Sequence, residues 1–107
     1  MYFHSESLRT TWSSLSICQQ MANIGAEVGR AINWKKKGNT EMSMNALYRG
    51  LELIDYTIAD IKNRNGLSEV VRLREFLLDF MIGENMFGMS EDFFQKYFLA
   101  FTIKANG

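Results

Sequence analysis

The chain lacks several of the features by which a class of function is usually recognised. It has no proline, one cysteine and one histidine among its 107 residues. One cysteine cannot form an intramolecular disulfide, and one cysteine with one histidine cannot supply the ligands of a structural zinc site. A disulfide-rich secreted scaffold and a zinc module are therefore excluded, and we expect neither a bound metal nor a cofactor.

Neither sign of charge is in excess, because 12 lysines and arginines balance 12 aspartates and glutamates. The positive excess that drives nonspecific binding to phosphates is absent, so we do not expect nucleic-acid binding. The chain also has no run of about 18 apolar residues and no signal-peptide pattern. We therefore expect a cytoplasmic protein without a membrane-spanning segment.

The composition is that of an ordinary globular domain, with 47% hydrophobic and 22% charged residues. A chain of this length suits one folding unit. We expect residues 1–107 to form a single helical domain, to which residues 1–10 are loosely attached.

Apolar residues recur at spacings of three and four along most of the chain, which is the pattern of amphipathic helices. This pattern predicts helices over residues 11–37, from residue 40 to a turn at 63–66, over residues 67–82, and from Ser90 onwards. Gly38 and Gly83 follow two of these segments, where glycine commonly ends a helix. The sequence therefore predicts an all-α, four-helix up-down bundle with long first and second helices.

The first predicted helix would be about 40 Å long, and its partners are too short to cover its early turns. This surface has a strip of small residues beside two larger apolar ones, which together are Cys18, Ala22, Gly25, Gly29, Trp12 and Leu15. Either the fourth helix or the N-terminal tail covers the strip, or a second copy of the chain does. We predict a homodimer built on this surface, since small residues let two helices approach closely.

Arg74 and Asp55 are charged residues on the apolar faces of the third and second predicted helices. Both are about equally distant from the turn at residues 63–66, so they should meet in an antiparallel hairpin. An unpaired charge in the core is costly, so we expect the two to form a buried ion pair that fixes the register of the two helices. In the alternative, Arg74 lines a cavity that binds an anionic ligand, with Tyr48 or Glu52 completing the site.

Three segments carry a resemblance to known proteins: residues 23–31 (NIGAEVGRA), 50–55 (GLELID) and 72–75 (RLRE). They resemble small uncharacterised all-helical proteins of bacteria and archaea, to which no activity is attached. The architecture is also similar to the HEPN-type bundles that accompany minimal nucleotidyltransferases. Many HEPN members are ribonucleases with an arginine followed four to six residues later by a histidine. His4 precedes every arginine here, so the resemblance implies a protein partner and no nuclease residues.

These observations favour a non-enzymatic helical bundle that acts by association, either with itself or with a partner chain such as a nucleotidyltransferase. The alternative is an anionic-ligand receptor or an enzyme with its site around Arg74, Asp55 and Tyr48.

Overall fold

A computed structural model describes residues 11–106, apart from the side chain of Ile61, and the predicted loose segment 1–10 lies outside the described residues. Four complete α-helices lie within the described residues: α1 (Ile17–Lys36), α2 (Thr40–Ala59), α3 (Leu67–Met81) and α4 (Glu91–Asn106). A 3-10 helix, Ile61–Gly66, connects α2 to α3. The first two helices have 20 residues each, against 15 and 16 for the others. The predicted all-α, up-down bundle with long first and second helices is confirmed.

Helix α1 is the central element, since it packs along both α2 and α4, while α3 contacts α2. The predicted apolar stripes supply the core, in which the most fully buried large side chains include Met21, Ile24, Leu47, Ile54, Leu77 and Phe94. Within residues 11–106, no helix combines the length and the apolar character needed to cross a lipid bilayer.

Apart from the start of the first helix and the end of the second, the predicted helix ends lie close to the observed ones. Gly38 has a positive φ of 79° and follows the C-cap residue Lys37, so the chain leaves α1 there as expected. The side chain of Asn39, one residue before the predicted cap, accepts a hydrogen bond from the Met42 amide at 3.1 Å. Ser90 caps α4 as predicted, because its hydroxyl accepts from the Phe93 amide at 3.1 Å.

The predicted start of the first helix at residue 11 is wrong. Helix α1 begins at Ile17, after a capping box in which Ser16 Oγ accepts from the Gln19 amide and Gln19 Oε1 accepts from the Ser16 amide. Thr11 and Trp12 are helical but are separated from α1 by a turn at residues 13–15, in which the Ser14 amide donates to the Thr11 carbonyl at 3.0 Å. The first helix is therefore no longer than the second, which removes one reason for expecting a dimer on its early turns.

Candidate functional site

Asp55 on α2 and Arg74 on α3 form the predicted ion pair, with 3.0 Å between Arg74 Nε and Asp55 Oδ1. The expectation that the pair is buried is wrong, since the two side chains are 55% and 34% exposed. Arg74 reaches Asp55 from the edge of the contact between α2 and α3 rather than from inside it. An exposed ion pair of this kind contributes about 0–1 kcal/mol to the free energy of unfolding. Removing one partner of a buried pair would cost far more.

Glu52 and Asp55 border a cavity of about 370 Å³ beside this pair. Its other walls come from the turn before α1 and the end of α2: Trp12, Ser13, Tyr56, Ala59 and Asp60. Glu52 is buried and accepts a hydrogen bond from the Tyr56 hydroxyl. Arg74 and Tyr48 do not line the cavity, and Tyr48 is exposed on α2. Only two of the four residues predicted for a ligand site line the cavity, and both are carboxylates.

Trp12 closes one side of this cavity and is almost completely buried, at 3% exposure. Its indole Nε1 donates to Thr57 Oγ1 at 3.0 Å, and its carbonyl accepts from Gln20 Nε2 at 2.9 Å. Gln20 is itself buried and accepts at Oε1 from Asn63 Nδ2 at 2.8 Å. These contacts attach the turn before α1 to the end of α2. Trp12 is therefore not available to a second copy, and its predicted place in a dimer interface is wrong.

Asp60 completes this polar network at the end of α2. Its carboxylate accepts hydrogen bonds from Gln20 Nε2 at 2.9 Å and from Lys62 Nζ. Burial works against the charged carboxylate, but the hydrogen bonds from Lys62 and Gln20 outweigh it and lower the pKa of Asp60. Lys62 Nζ also donates to the Ser13 carbonyl at 2.8 Å, which ties the same turn to the 3-10 helix.

The strip of small residues on α1 is partly covered by α4, and the prediction that a second copy covers it is wrong for Gly25. A Cβ atom at Gly25 would lie 2.6 Å from Phe98 Cβ, so the glycine permits the close approach of α4. Leu15 and Cys18 are half-buried. Ala22 and Gly29 line an open groove of about 420 Å³ between α1 and α4. Of the coverings left open by the sequence, the fourth helix is the one observed at Gly25.

A different surface is apolar and exposed: the connection between α3 and α4. Met86 is 83% exposed, and Ile82 and Phe87 are each more than half exposed. We call these three residues the loop patch. Isolated apolar side chains are common on protein surfaces, but three large ones within six residues form a patch of the kind that marks interaction sites.

The loop patch is held in place by hydrogen bonds. The Asp79 carboxylate accepts from the Met86 amide at 2.9 Å and from the Phe87 amide at 3.0 Å. Asn85, which has a φ of 53°, exchanges two side-chain hydrogen bonds with the backbone of Met89, at 2.9 and 3.0 Å. The Phe87 ring packs edge-on against Phe76 of α3, with 5.0 Å between the ring centres. Little conformational freedom is left to lose when such a loop is bound.

This surface was not predicted from the sequence. The sequence feature that points to it is Asp79, which lies near the end of a helix that is followed by asparagine and glycine. At such a position a carboxylate can accept hydrogen bonds from free backbone amides.

Among the described residues, no group of three histidine, cysteine, aspartate or glutamate side chains lies close enough to hold a metal ion. Comparison with protein-family models, curated proteins and solved structures finds no match to this chain.

Proposed function

We propose that this chain is a non-catalytic helical-bundle protein that acts by associating with another protein chain through the loop patch. The observation that carries the proposal is the exposure of Ile82, Met86 and Phe87 on a loop fixed by Asp79. Burying exposed apolar surface is the main favourable term in most protein association. A rigid loop binds at a lower entropic cost than a mobile one.

Two kinds of partner are consistent with this proposal. One is a second copy of the chain, giving a homodimer, although on a different surface from the strip on α1. The other is a nucleotidyltransferase-type chain, which the resemblance to HEPN-type bundles implies. Either association would take place in the cytoplasm, the compartment expected from the sequence.

The experiment compares the wild-type chain with a variant carrying Met86→Ser and Phe87→Ser. Both are immobilised and used to capture proteins from an extract of the source cell, and the purified chains are also examined by sedimentation velocity. Met42→Ser, an exposed methionine on α2, is the matched control. We expect that only the loop variant fails to capture the partner protein or to self-associate. Equal capture and equal self-association by all three proteins would contradict the proposal.

The alternative function is a small-ligand receptor or enzyme around Arg74, Asp55 and Tyr48. The cavity beside Asp55 supports a ligand site, but the charged groups on its wall are Glu52, Asp55 and Asp60. A ligand there is therefore expected to be cationic, contrary to the anionic ligand considered from the sequence. Thermal unfolding with small amines and small carboxylates tests this function: stabilisation by amines that is lost in Glu52→Gln would favour it, whereas no shift with either class would leave association as the better account.

A further inference from the structure

The exposed side of α4 offers a second apolar surface, with charges of the opposite sign to those of the loop. Leu99 and Ile103 lie one turn apart and are each more than half exposed. Lys96 precedes Leu99 by three residues and Lys104 follows Ile103, and both lysines are exposed. Lys96 pairs with Asp92 at 3.0 Å, but both side chains are in solvent and such a pair contributes little, so Lys96 can exchange it for another carboxylate. We call Lys96, Leu99, Ile103 and Lys104 the α4 face.

Carboxylates surround the loop patch. Glu75 is exposed on α3, seven residues before Ile82, which directly follows the helix. Asp79 binds the loop amides, and Glu84 lies within the loop itself. None of the three forms an ion pair with a described lysine or arginine, and Arg72, one turn before Glu75, pairs with none of them. The loop patch with these three carboxylates is called the acidic loop face below.

We propose that the partner of the acidic loop face is a second copy of this chain, which binds through its α4 face. Leu99 and Ile103 of one copy would cover Met86 and Phe87 of the other, with the lysines on the carboxylates. This inference rests on the proposed function and names its partner. The two faces complement each other, because each has exposed apolar side chains, with carboxylates beside those of the loop and lysines beside those of α4.

The contact joins two different surfaces, so it closes into a dimer only if a two-fold axis lets both contacts form at once. The apolar residues supply most of the affinity, and the charges supply orientation and a dependence on salt. A contact made by one loop and one helix face buries less than the roughly 800 Å² per partner of a standard interface. We therefore expect the association to be weak.

A charge-exchange experiment tests the pairing of the two faces. One variant carries Glu75→Lys and Glu84→Lys, and a second carries Lys96→Glu and Lys104→Glu. Each variant alone would place like charges against each other, whereas an equimolar mixture restores opposite charges at both contacts. The control is Glu41→Lys, an exposed glutamate at the start of α2. Sedimentation equilibrium at low and high salt measures association, and circular dichroism checks that each variant is folded.

The wild type and the control should associate, with an affinity that falls as salt rises. Each variant should lose about tenfold or more in affinity, and the mixture should return to within about threefold of the wild type. The proposal is overturned if the wild type stays at 12.4 kDa up to about 1 mM. It is also overturned if the variants associate normally, or if the mixture stays monomeric. If those results are accompanied by capture of another protein that depends on Met86 and Phe87, the second copy is rejected while the proposed function stands.

Discussion

Replacement of Gly25 by alanine tests how α4 packs on α1, and Gly29→Ala is its matched control. Both glycines lie within α1, where alanine is intrinsically better than glycine by about 1 kcal/mol. At Gly29 nothing lies within 4 Å of the added Cβ, so we expect a gain in stability of up to about 1 kcal/mol. At Gly25 the same atom would lie 2.6 Å from Phe98 Cβ and 2.8 Å from Phe98 Cγ.

The cost at Gly25 follows from which atom is too close. A Cβ atom is fixed by the backbone, so Phe98 cannot rotate away from the contact, and α4 must shift to reach the usual separation of about 3.5–4.0 Å between carbon atoms. Overpacking of this kind costs about 1–3 kcal/mol. Because the helix-propensity gain is common to both variants, Gly25→Ala should be less stable than Gly29→Ala by about 1–3 kcal/mol.

Urea denaturation followed by circular dichroism measures this difference as a change in the free energy of unfolding. The dependence of that free energy on urea concentration should stay unchanged, since the surface exposed on unfolding is nearly the same. If Gly25→Ala proves as stable as Gly29→Ala, α4 does not pack against Gly25. The strip on α1 would then again be open to a second copy.

The remaining predictions concern the contacts around the Trp12 turn and the exposed ion pair. A double-mutant cycle on Asp55→Ala and Arg74→Ala should give a coupling of about 0–1 kcal/mol, and a coupling above about 2 kcal/mol would show that the pair is effectively buried. Thr57→Val should cost about 1–3 kcal/mol because it leaves the Trp12 indole N–H buried without its acceptor, and it should cost much less in a Trp12→Phe background; additive effects in urea denaturation would refute this. Since the native pKa of Asp60 lies below its ordinary value of 3.8, the carboxylate stabilises the fold at neutral pH, and this contribution is lost as the pH falls through the lower native pKa. Asp60→Asn should therefore flatten the acid limb of the stability profile measured by thermal unfolding, and an unchanged acid limb would contradict the assignment.

The helices could be predicted from the sequence because each has a continuous apolar stripe, as in Val70, Leu73 and Leu77 of α3. The pairing of Asp55 with Arg74 was also predictable, since both are about equally distant from the turn that joins their helices. The exposure of the two side chains to solvent could not be predicted in the same way. A helical wheel gives the direction of a side chain but not the width of the buried arc, and the contact between α2 and α3 is narrow.

The start of α1 was misjudged because the apolar residues Trp12 and Leu15 continue the helical spacing on the N-terminal side of the first helical residue, Ile17. The signal for the start of the helix is Ser16 followed by Gln19, a capping box that the sequence contains. The burial of Trp12 depends on Thr57, 45 residues away. A contact over that separation follows from the packing of α1 on α2, which local sequence patterns do not contain.

The loop patch could not be predicted for a related reason. Large apolar residues are usually buried, so a sequence containing Met86 and Phe87 gives no reason to expect them on the surface. On a helical wheel Asp79 lies on the polar face of α3, which gives no reason to expect contacts with the loop. Its two hydrogen bonds to the loop depend on the backbone path after α3, which the positive φ of Asn85 helps to set.

The most direct test of association through the loop patch is the rate at which peroxide oxidises Met86 to the sulfoxide. Met86 is 83% exposed in the single chain, and Met42, which is 39% exposed, serves as an internal reference. Mass spectrometry of peptides gives both rates in dilute protein, in concentrated protein, and with any captured partner present. We predict that Met86 reacts faster than Met42 in dilute protein, and that this ratio falls in concentrated protein or with a partner. A ratio that stays constant under all three conditions would contradict the claim that the loop patch is an interface.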